Sequence, residues 1–336
     1  MAIRFAVAGT GWVAGEYVKA IRAHEDCELY GIVTSDAARA GRRLAEWGTE
    51  ARIWTDFAEM VQDPAVDAVV LCSTPDVRPD QAVLAAQHGK HLVLEKPLAL
   101  DRQGLAKMTA ALRANPVRTA VGFVLRWNPL FETIKALIDD DALGRVFMAQ
   151  IDYWNHIGPQ FNQYRWSAGK ELGGSSMLSA GCHAVDALRL FAGDVTEVTA
   201  YSCRTWNPSD YGYDPNAVAL LKLKNGGIGK VSCSLECVTP YKFHVHLLGE
   251  KGTILNNRLF SRKFPGQTDY AEIPTVLPES GDVAHFPFGL LVAEFAEAVL
   301  HNKRTRCDFE EARKTMEVCF AIDESIATGA SVALEH

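Results

Sequence analysis

The sequence predicts an α/β protein of two domains. Residues 1–122 are expected to form a domain on a parallel sheet, and residues 123–333 an α+β domain with a mostly antiparallel, open sheet. The chain of 336 residues is longer than one hydrophobic core usually supports. Its first part alternates short apolar runs with helical patterns, which is typical of βαβ units. Its second part groups strand patterns together and places helices at the ends, which is typical of an antiparallel sheet.

The first domain is expected to contain five strands joined by four helices. The strands are the apolar runs 3–8, 29–33, 66–72, 91–94 and 119–124. The helices span 13–23, 37–47, 79–88 and 101–114. Asp80 and Asp101 are expected to cap helix N-termini, and Gly89 lies just past a helix end.

The second domain is expected to begin with a helix at 129–138 and a half-buried strand at 146–154. A helix follows from about 174 to 190. Further strands are predicted at 197–205, 217–224, 228–238 and 243–248, and closing helices at 288–300 and 310–326. Asn225-Gly226-Gly227 is a strong hairpin signal between two of these strands.

Composition excludes several classes of protein. A net charge of −7 argues against nucleic acid or an anionic membrane as the main partner. The apolar runs are all too short to span a bilayer. Eight cysteines without a CxxC pair indicate reduced thiols in a cytoplasmic enzyme rather than disulfides or a zinc site. His244 and His246 alternate on one strand without a third ligand, so no metal site is predicted.

A dinucleotide fingerprint follows the first strand. Gly9, Thr10, Gly11, Trp12 and Val13 precede Ala14 in a GxGxxA pattern that opens a helix. The first glycine permits a tight turn, the second lets a pyrophosphate approach the backbone, and the helix N-terminus supplies amide donors. The pattern predicts a Rossmann domain that binds NAD or NADP.

The cofactor preference stays open at the end of the second strand. Thr34, Ser35 and Asp36 stand where NAD-binding proteins tend to place a ribose-binding carboxylate. Asp36 can reach the ribose 2′-hydroxyl, whereas Ser35 with Arg39 or a neighbouring arginine can hold a 2′-phosphate. A solvated helix face is an equally good explanation of these arginines.

A second motif, Glu95-Lys96-Pro97, ends the apolar run 91–94. In an open parallel sheet, ligands bind outside the carboxyl ends of the strands. Lys96 would project its amine into that crevice, although the triplet alone is also an ordinary surface turn. We expect Pro97 to position the backbone through a cis bond.

Together these motifs and others resemble the Gfo/Idh/MocA family over essentially the whole chain. The segments that carry the resemblance are Gly9-Thr10-Gly11, Ser73-Thr74-Pro75-Asp76, Gly89-Lys90-His91, Glu95-Lys96-Pro97, Arg126-Trp127-Asn128-Pro129, Gly181-Cys182-His183-Ala184-Val185-Asp186, Gly249-Glu250-Lys251-Gly252-Thr253-Ile254 and Glu324-Ser325-Ile326-Ala327-Thr328-Gly329. The resemblance implies oxidation or reduction of one secondary alcohol of a sugar or cyclitol with NAD(P). It also implies a homodimer or homotetramer formed through the C-terminal sheet.

The resemblance further assigns roles to individual residues. Ser73, Thr74, Pro75, Glu95 and Lys96 join the cofactor-binding set, with Glu95 the more structural of these. Lys96 and His183 are the expected catalytic pair. An imidazole is a ready base at neutral pH, and an ammonium stabilises a developing oxyanion.

Asp186 lies three residues after His183, so on a continuous helix it could hold the other ring nitrogen. Relatives with dehydrogenase activity often carry aspartate four residues before this histidine. Here that position is Ser179, which can bind a substrate hydroxyl but carries no charge. This departure shifts the proton transfer toward Lys96 and His183.

Further substrate-binding candidates interleave polar and aromatic side chains, which suits a polyol. They are Tyr153, Asn155, His156, Arg165 and Trp166, with Ser179 and Asp186. Ordinary core aromatics explain each single residue about equally well.

The sequence thus favours an NAD(P)-dependent oxidoreductase of a sugar, sugar acid or cyclitol. The first alternative is a glycosidase that uses NAD in a transient oxidation, for which Ser179 leaves room. The second is a non-catalytic sugar or nucleotide sensor, which the presence of Lys96 and His183 disfavours.

Overall fold

The computed structural model describes residues 2–206, 210–279 and 285–335. Within these ranges the α-helices are α1 Trp12–Ala23, α2 Ala37–Glu46, α3 Phe57–Gln62, α4 Arg78–Gln87, α5 Arg102–Ala114, α6 Pro129–Asp139, α7 Tyr164–Ser167, α8 Lys170–Gly173, α9 Cys182–Ala192, α10 Phe288–Leu300 and α11 Phe309–Thr328. A 3₁₀ turn at Val124–Trp127 and a π-helical turn at Met177–Gly181 complete the helical structure of the described residues.

The chain divides into two compact units, which are described separately. The first comprises Met1–Val124 and Val283–Arg313, and the second comprises Leu125–Asp282 and Lys314–His336. Helix α10 belongs to the first of these units, where Phe288 lies edge-on to Tyr17 with ring centroids 4.9 Å apart.

A parallel sheet forms the core of the first unit. Its strands are β1 Ile3–Ala8, β2 Cys27–Val33, β3 Arg52–Trp54, β4 Ala68–Leu71, β5 His91–Leu94 and β6 Thr119–Val121. Their order is β3-β2-β1-β4-β5-β6, and every neighbouring pair is parallel. The predicted parallel sheet is therefore confirmed. Sequence reasoning missed β3 and α3, because neither is long enough to show a period.

Two aspartates of the first unit were predicted to cap helices, and the structure confirms one of them and contradicts the other. Asp101 caps α5 by accepting a hydrogen bond from the Gly104 amide at 2.7 Å, as predicted. Asp80 does not cap α4. That helix begins earlier, with Val77 as its N-cap, and Asp80 lies in its first turn, where the carboxylate pairs with Lys107.

The second unit is built on a nine-stranded sheet of the described residues. The additional strands are β7 Val146–Trp154, β8 Val195–Cys203, β9 Asn216–Leu223, β10 Ile228–Ser234, β11 Lys242–Gly249, β12 Gly252–Leu255, β13 Arg258–Ser261, β14 Ala271–Glu272 and β15 Val332–Ala333. Their order is β14-β13-β12-β11-β7-β10-β9-β8-β15. All neighbours are antiparallel except β7 and β10, which confirms a mostly antiparallel sheet.

The predicted hairpin turn joins β9 to β10. Gly226 has φ of +83°, a conformation that favours glycine, and Asn225 Oδ1 accepts a hydrogen bond from the Gly227 amide at 2.8 Å. Strand β10 ends at Ser234, four residues before the predicted end. The short strands β12 to β15 were not predicted.

One face of this sheet is covered by α9. Leu188 of α9 packs so close to β10 that a Cβ added to Gly229 would lie 2.7 Å from its Cδ1 atom. The opposite face is open, and on β9 the outward residues Val218 and Leu220 are 44 % and 60 % exposed. This open face confirms the predicted open sheet.

The predicted helix from about 174 to 190 has two parts. It opens with the π-helical turn Met177–Gly181, and α9 follows directly. Gly181 is tightly packed, because an added Cβ would lie 2.7 Å from Met177 Sδ and 2.9 Å from Cys233 Cβ. In the described part of the chain, no helix is both long and apolar enough to cross a membrane.

Candidate functional site

The loop after β1 has the geometry of a phosphate-binding turn. Gly9 has φ of +109°, and a Cβ added there would lie 3.0 Å from the Cys72 carbonyl oxygen, so both conformation and space require glycine. Gly11 is the N-cap of α1 with φ of −70°, which any residue can adopt. A Cβ added to Gly11 would meet no described atom within 4 Å.

The free space beside Gly11 shows whether the loop could hold a dinucleotide cofactor. Neither the backbone conformation nor a neighbouring protein atom requires glycine at that position. A group lying against the backbone at the N-terminus of α1 would require it, and the pyrophosphate of a dinucleotide is such a group. Thr10 is buried in this loop, while Trp12 and Val13 are partly exposed in the first turn of α1.

Three predicted segments leave neighbouring strands at the same edge of the first sheet. Strand β4 lies between β1 and β5. From β1 the chain first adds β2 and β3 on one side of the sheet, and it then returns to add β4, β5 and β6 on the other side of β1. The dinucleotide loop follows β1, Ser73-Thr74-Pro75 follows β4, and Glu95-Lys96 follows β5. Parallel strands end at one edge, so the fold brings these segments together where open α/β sheets bind ligands.

The end of β2 presents polar groups to solvent. Ser35, Asp36 and Arg39 are exposed, and Thr34 is partly exposed. Asp36 is the N-cap of α2 and accepts a hydrogen bond from the Arg39 amide at 2.8 Å. A structural reason for this carboxylate therefore exists, and ribose binding by Asp36 stays a prediction.

The Glu95 carboxylate is buried beneath Lys96. It accepts hydrogen bonds from the Tyr17 hydroxyl at 2.8 Å and from the Lys96 amide at 3.2 Å. Burial raises the pKa of Glu95 above its usual range, although the positive charges of Lys96 and Arg78 oppose this shift. The Lys96–Pro97 peptide bond is cis, as expected.

Arg78 is a buried residue that sequence reasoning missed. Its guanidinium donates hydrogen bonds to the carbonyl oxygens of Ser73 and Pro97. It therefore ties the loop after β4 to the loop after β5. Burial lowers the pKa of Arg78, and the nearby Glu95 carboxylate opposes that shift. No local signal distinguished this arginine from an ordinary helix-start residue.

In the second unit, His183 lies in the first turn of α9. Its ring is nearly parallel to that of Tyr153, with an interplanar angle of 12° and centroids 6.2 Å apart. Tyr153 is on the face of β7 that α9 covers. Burial raises the pKa of Tyr153 well above its usual range, and a hydrogen bond with Asn155 opposes that shift. The structure thus brings three predicted site residues together: Tyr153, Asn155 and His183.

Asp186 forms a buried ion pair with Arg126. Arg126 Nε and Nη2 donate to the two carboxylate oxygens at 2.7 Å each, and Thr315 Oγ1 donates to Oδ1 at 2.9 Å. Thr315 in turn accepts from Arg189 Nη1 at 2.8 Å. This network anchors α9. A hydrogen bond between Asp186 and His183, and substrate binding by Asp186, stay predictions.

Ser179 lies in the π-helical turn next to a tyrosine that was not predicted. The Tyr213 hydroxyl donates a hydrogen bond to the Ser167 carbonyl oxygen at 2.7 Å, and it lies 3.3 Å from the Ser179 hydroxyl oxygen, within hydrogen-bond distance. No local pattern marks Tyr213, which lies in the loop between β8 and β9. Of the other candidates, His156 and Arg165 are exposed and Trp166 is partly exposed.

Two family models match the chain. The model described as "Oxidoreductase family, NAD-binding Rossmann fold" matches residues 3–123, and the model described as "GFO/IDH/MocA C-terminal domain" matches residues 131–255. The chain belongs to the GFO/IDH/MocA family. It is therefore an oxidoreductase with an NAD-binding Rossmann domain.

Similar proteins cover nearly the whole length of this oxidoreductase. D-xylose 1-dehydrogenase (NADP(+)) 2 of Haloferax volcanii is 27 % identical, over 98 % of this chain and 99 % of its own. The scyllo-inositol 2-dehydrogenase (NAD(+)) of Bacillus subtilis is 23 % identical, over 99 % and 96 %. A structure of levoglucosan dehydrogenase with NADH and levoglucosan shares the fold, with a TM-score of 0.88 at 18 % identity over 100 % of both chains.

Proposed function

We propose that this oxidoreductase transfers a hydride between NAD or NADP and a secondary alcohol of a sugar, sugar acid or cyclitol. The observation that carries the proposal is the shared edge of the first sheet. At that edge the loop after β1 carries Gly11, where no protein atom fills the space beside the backbone. Strand β4 is the next strand of the sheet, and β5, whose following loop carries Lys96, is the one after it. Related proteins named as dehydrogenases of a sugar and of inositols support the substrate class.

Lys96 and His183 have complementary roles in the proposed reaction. Bound NAD(P) supplies a nicotinamide ring that accepts or returns the hydride. When an alcohol is oxidised, the imidazole of His183 takes the hydroxyl proton, and the ammonium of Lys96 stabilises the negative charge that develops on the oxygen. In the reducing direction His183 returns the proton to the oxygen, and Lys96 stabilises the same oxygen while its negative charge develops.

The substrate side of the proposal rests on the second unit. Tyr153, Asn155 and Ser179 offer an aromatic ring, an amide and a hydroxyl around the segment that carries His183. Aromatic rings pack on the C–H faces of sugars, and amides and hydroxyls bind their oxygens. A polyol therefore suits these residues. His156, Arg165, Trp166 and Asp186 complete the proposed substrate-binding set.

We also propose self-association through the open face of the nine-stranded sheet. Val218, Leu220 and Ile228 expose 44 %, 60 % and 51 % of their surface on adjacent strands. Large exposed apolar patches mark protein interfaces, and a second copy of the sheet would cover this one in a homodimer or homotetramer.

The eight cysteines all lie in the described ranges and none forms a disulfide, which supports a cytoplasmic location.

The test begins with fluorescence titration of NADH and NADPH, followed by a panel of polyols with the preferred cofactor. Lys96→Ala and His183→Ala should each lower kcat/KM by about 100-fold or more, while NAD(P)H binding is retained. Lys107→Ala and His301→Ala change exposed residues of the same types and serve as matched controls. Wild-type rates in both site variants would overturn the assignment.

Adding glycosides to the substrate panel distinguishes the alternatives. Cleavage of a glycoside with NAD retained through purification and no net NADH would instead identify an NAD-dependent glycosidase. Ser179, which cannot act as a charged partner of Lys96, is the residue that keeps this outcome open. Binding of cofactor and sugar without any turnover would identify a sensor.

A further inference from the structure

The residues that lead to His183 are held at one end by a serine. Ser175 Oγ donates a hydrogen bond to Asp323 Oδ2 at 2.8 Å and accepts one from the Leu178 amide at 3.1 Å. The Ser175 carbonyl oxygen accepts from the Ser179 amide at 2.9 Å. One residue thus joins α11 to the start of the π-helical turn.

The other end of this segment is also held by α11. Thr315 of that helix donates to Asp186, three residues after His183. The two contacts lie eight residues apart on α11, at Thr315 and Asp323, and His183 lies between their partners in the sequence. Helix α11 therefore contacts the segment on both sides of the proposed base.

The Ser175–Asp323 contact matters because it lies at the start of a π-helical turn. A π turn closes with i→i+5 hydrogen bonds, one residue more than an α turn, and it occurs mainly as a single-turn bulge, frequently at functional sites. Ser179 lies within this turn, and His183 follows it by two residues. A small movement of the turn would change the placement of both side chains.

Asp323 is poorly suited to a purely stabilising role. Desolvation raises its pKa to about 6, although the hydrogen bond from Ser175 and the positive charge of Lys170 oppose this shift. The free energy that a charged carboxylate loses when it is removed from water offsets most of the stability that its hydrogen bond and a nearby positive charge provide. As a carboxylate, however, it is a strong and directional acceptor for Ser175.

We propose that Asp323 is a positioning residue that acts through Ser175 to fix the π-helical turn, and with it Ser179 and His183. This inference rests on the proposed function, because the placement of His183 matters only if His183 transfers protons. It predicts that loss of the Ser175–Asp323 hydrogen bond lowers turnover more than it lowers substrate or cofactor binding.

Four variants of the full chain test the inference. Ser175→Ala removes the donor, Asp323→Leu removes the acceptor, and Asp323→Asn retains an acceptor oxygen. Ser325→Ala is the matched control, since Ser325 lies on the same helix but bonds the Ala200 amide and the Ala330 carbonyl oxygen instead.

We expect Ser175→Ala and Asp323→Leu to lower kcat by about 10- to 100-fold, because small misplacements of catalytic groups have effects of this size. KM and the dissociation constant of NADH should change little. The double variant should be no slower than the slower single variant, because both remove one contact. Asp323→Asn should retain most of the wild-type kcat, and Ser325→Ala should leave kcat unchanged.

The NMR signals of the His183 ring provide a readout that is independent of turnover. They are assigned by their disappearance in His183→Gln, and they should shift in Ser175→Ala and Asp323→Leu but not in Ser325→Ala. Unchanged kcat and unchanged His183 signals in Ser175→Ala would overturn the inference. If wild-type protein turns over no polyol while the signals still shift, the proposed function fails and the positioning role stands.

Discussion

The two sheets of this oxidoreductase bury their residues in different ways. In the parallel sheet, every residue of β4, Ala68–Leu71, is buried, because both faces are covered. In the nine-stranded sheet, β9 alternates between buried residues such as Ala219 and exposed ones such as Leu220. A parallel sheet with helical crossovers must be covered on both sides, whereas an antiparallel sheet can leave one side open.

This difference separates the functions available to each unit. With both faces covered, the parallel sheet can offer a ligand only its strand ends, and there the loops at Gly9, Ser73 and Lys96 lie. The antiparallel sheet uses its inner face to hold α9 and the stacked pair Tyr153 and His183. Its other face is exposed, and the proposed self-association would use that face.

The largest effect is expected from placing a charge on each sheet in turn. Val69→Asp in β4 buries an unpaired carboxylate and should cost more than about 4 kcal/mol, enough to abolish folding. Leu220→Asp in β9 should leave the thermal melting temperature nearly unchanged. It should instead lower the mass measured by light scattering, because it charges the proposed interface. A folded Val69→Asp protein would show that the first sheet is not closed on both faces.

The next effect concerns the buried ion pair of the second unit. Arg126→Met leaves the Asp186 carboxylate buried without its main partner and should cost about 3–5 kcal/mol, measured by urea denaturation. Arg113→Met in the first unit is the matched control. It removes an equally well-formed pair with Glu310, but that pair is solvent-exposed, so the urea midpoint should stay unchanged. Equal losses in the two variants would contradict the dominant role of burial.

The smallest effect is a pH dependence of stability within the second unit. The pKa of Asp323 is raised to about 6, so the folded state holds this proton more tightly than the unfolded chain does. Its contribution to the free energy of unfolding therefore falls as pH rises from about 4 to about 6. Asp323→Asn should remove that slope and stabilise the protein above pH 6 by up to about 3 kcal/mol.

Asp194 provides a comparison of opposite sign. Desolvation opposes the shift, but hydrogen bonds from Arg189 and Lys314 lower the pKa of Asp194 to about 2. Its stabilising contribution is present above about pH 4 and is lost as pH falls toward 2. Asp194→Asn should therefore destabilise the protein at neutral pH, where Asp323→Asn stabilises it. The same sign in both variants would contradict these assignments.

Much of the fold follows from local patterns in the sequence. Strands β1, β5 and β7 and helix α10 have the predicted bounds, because each is an apolar run or a clear period between turn residues. The fingerprint at Gly9 and Gly11 was recognisable because phosphate binding needs glycines at fixed spacing just before a helix. His183 was singled out by its place in a family motif, and Lys96 by such a motif together with its position at the end of a predicted strand.

The surroundings of these residues were decided by the tertiary structure. Ser175 and Asp323 are 148 residues apart in the chain, Asp186 and Thr315 are 129 apart, and both pairs meet only because α11 packs beside α9. Tyr213 reaches Ser179 from a loop that no periodicity marks. Such contacts depend on where whole elements pack, and local sequence does not encode that. The sequence alone pointed to the residues that we propose carry the chemistry, and the packing of distant elements decided which residues hold them in place.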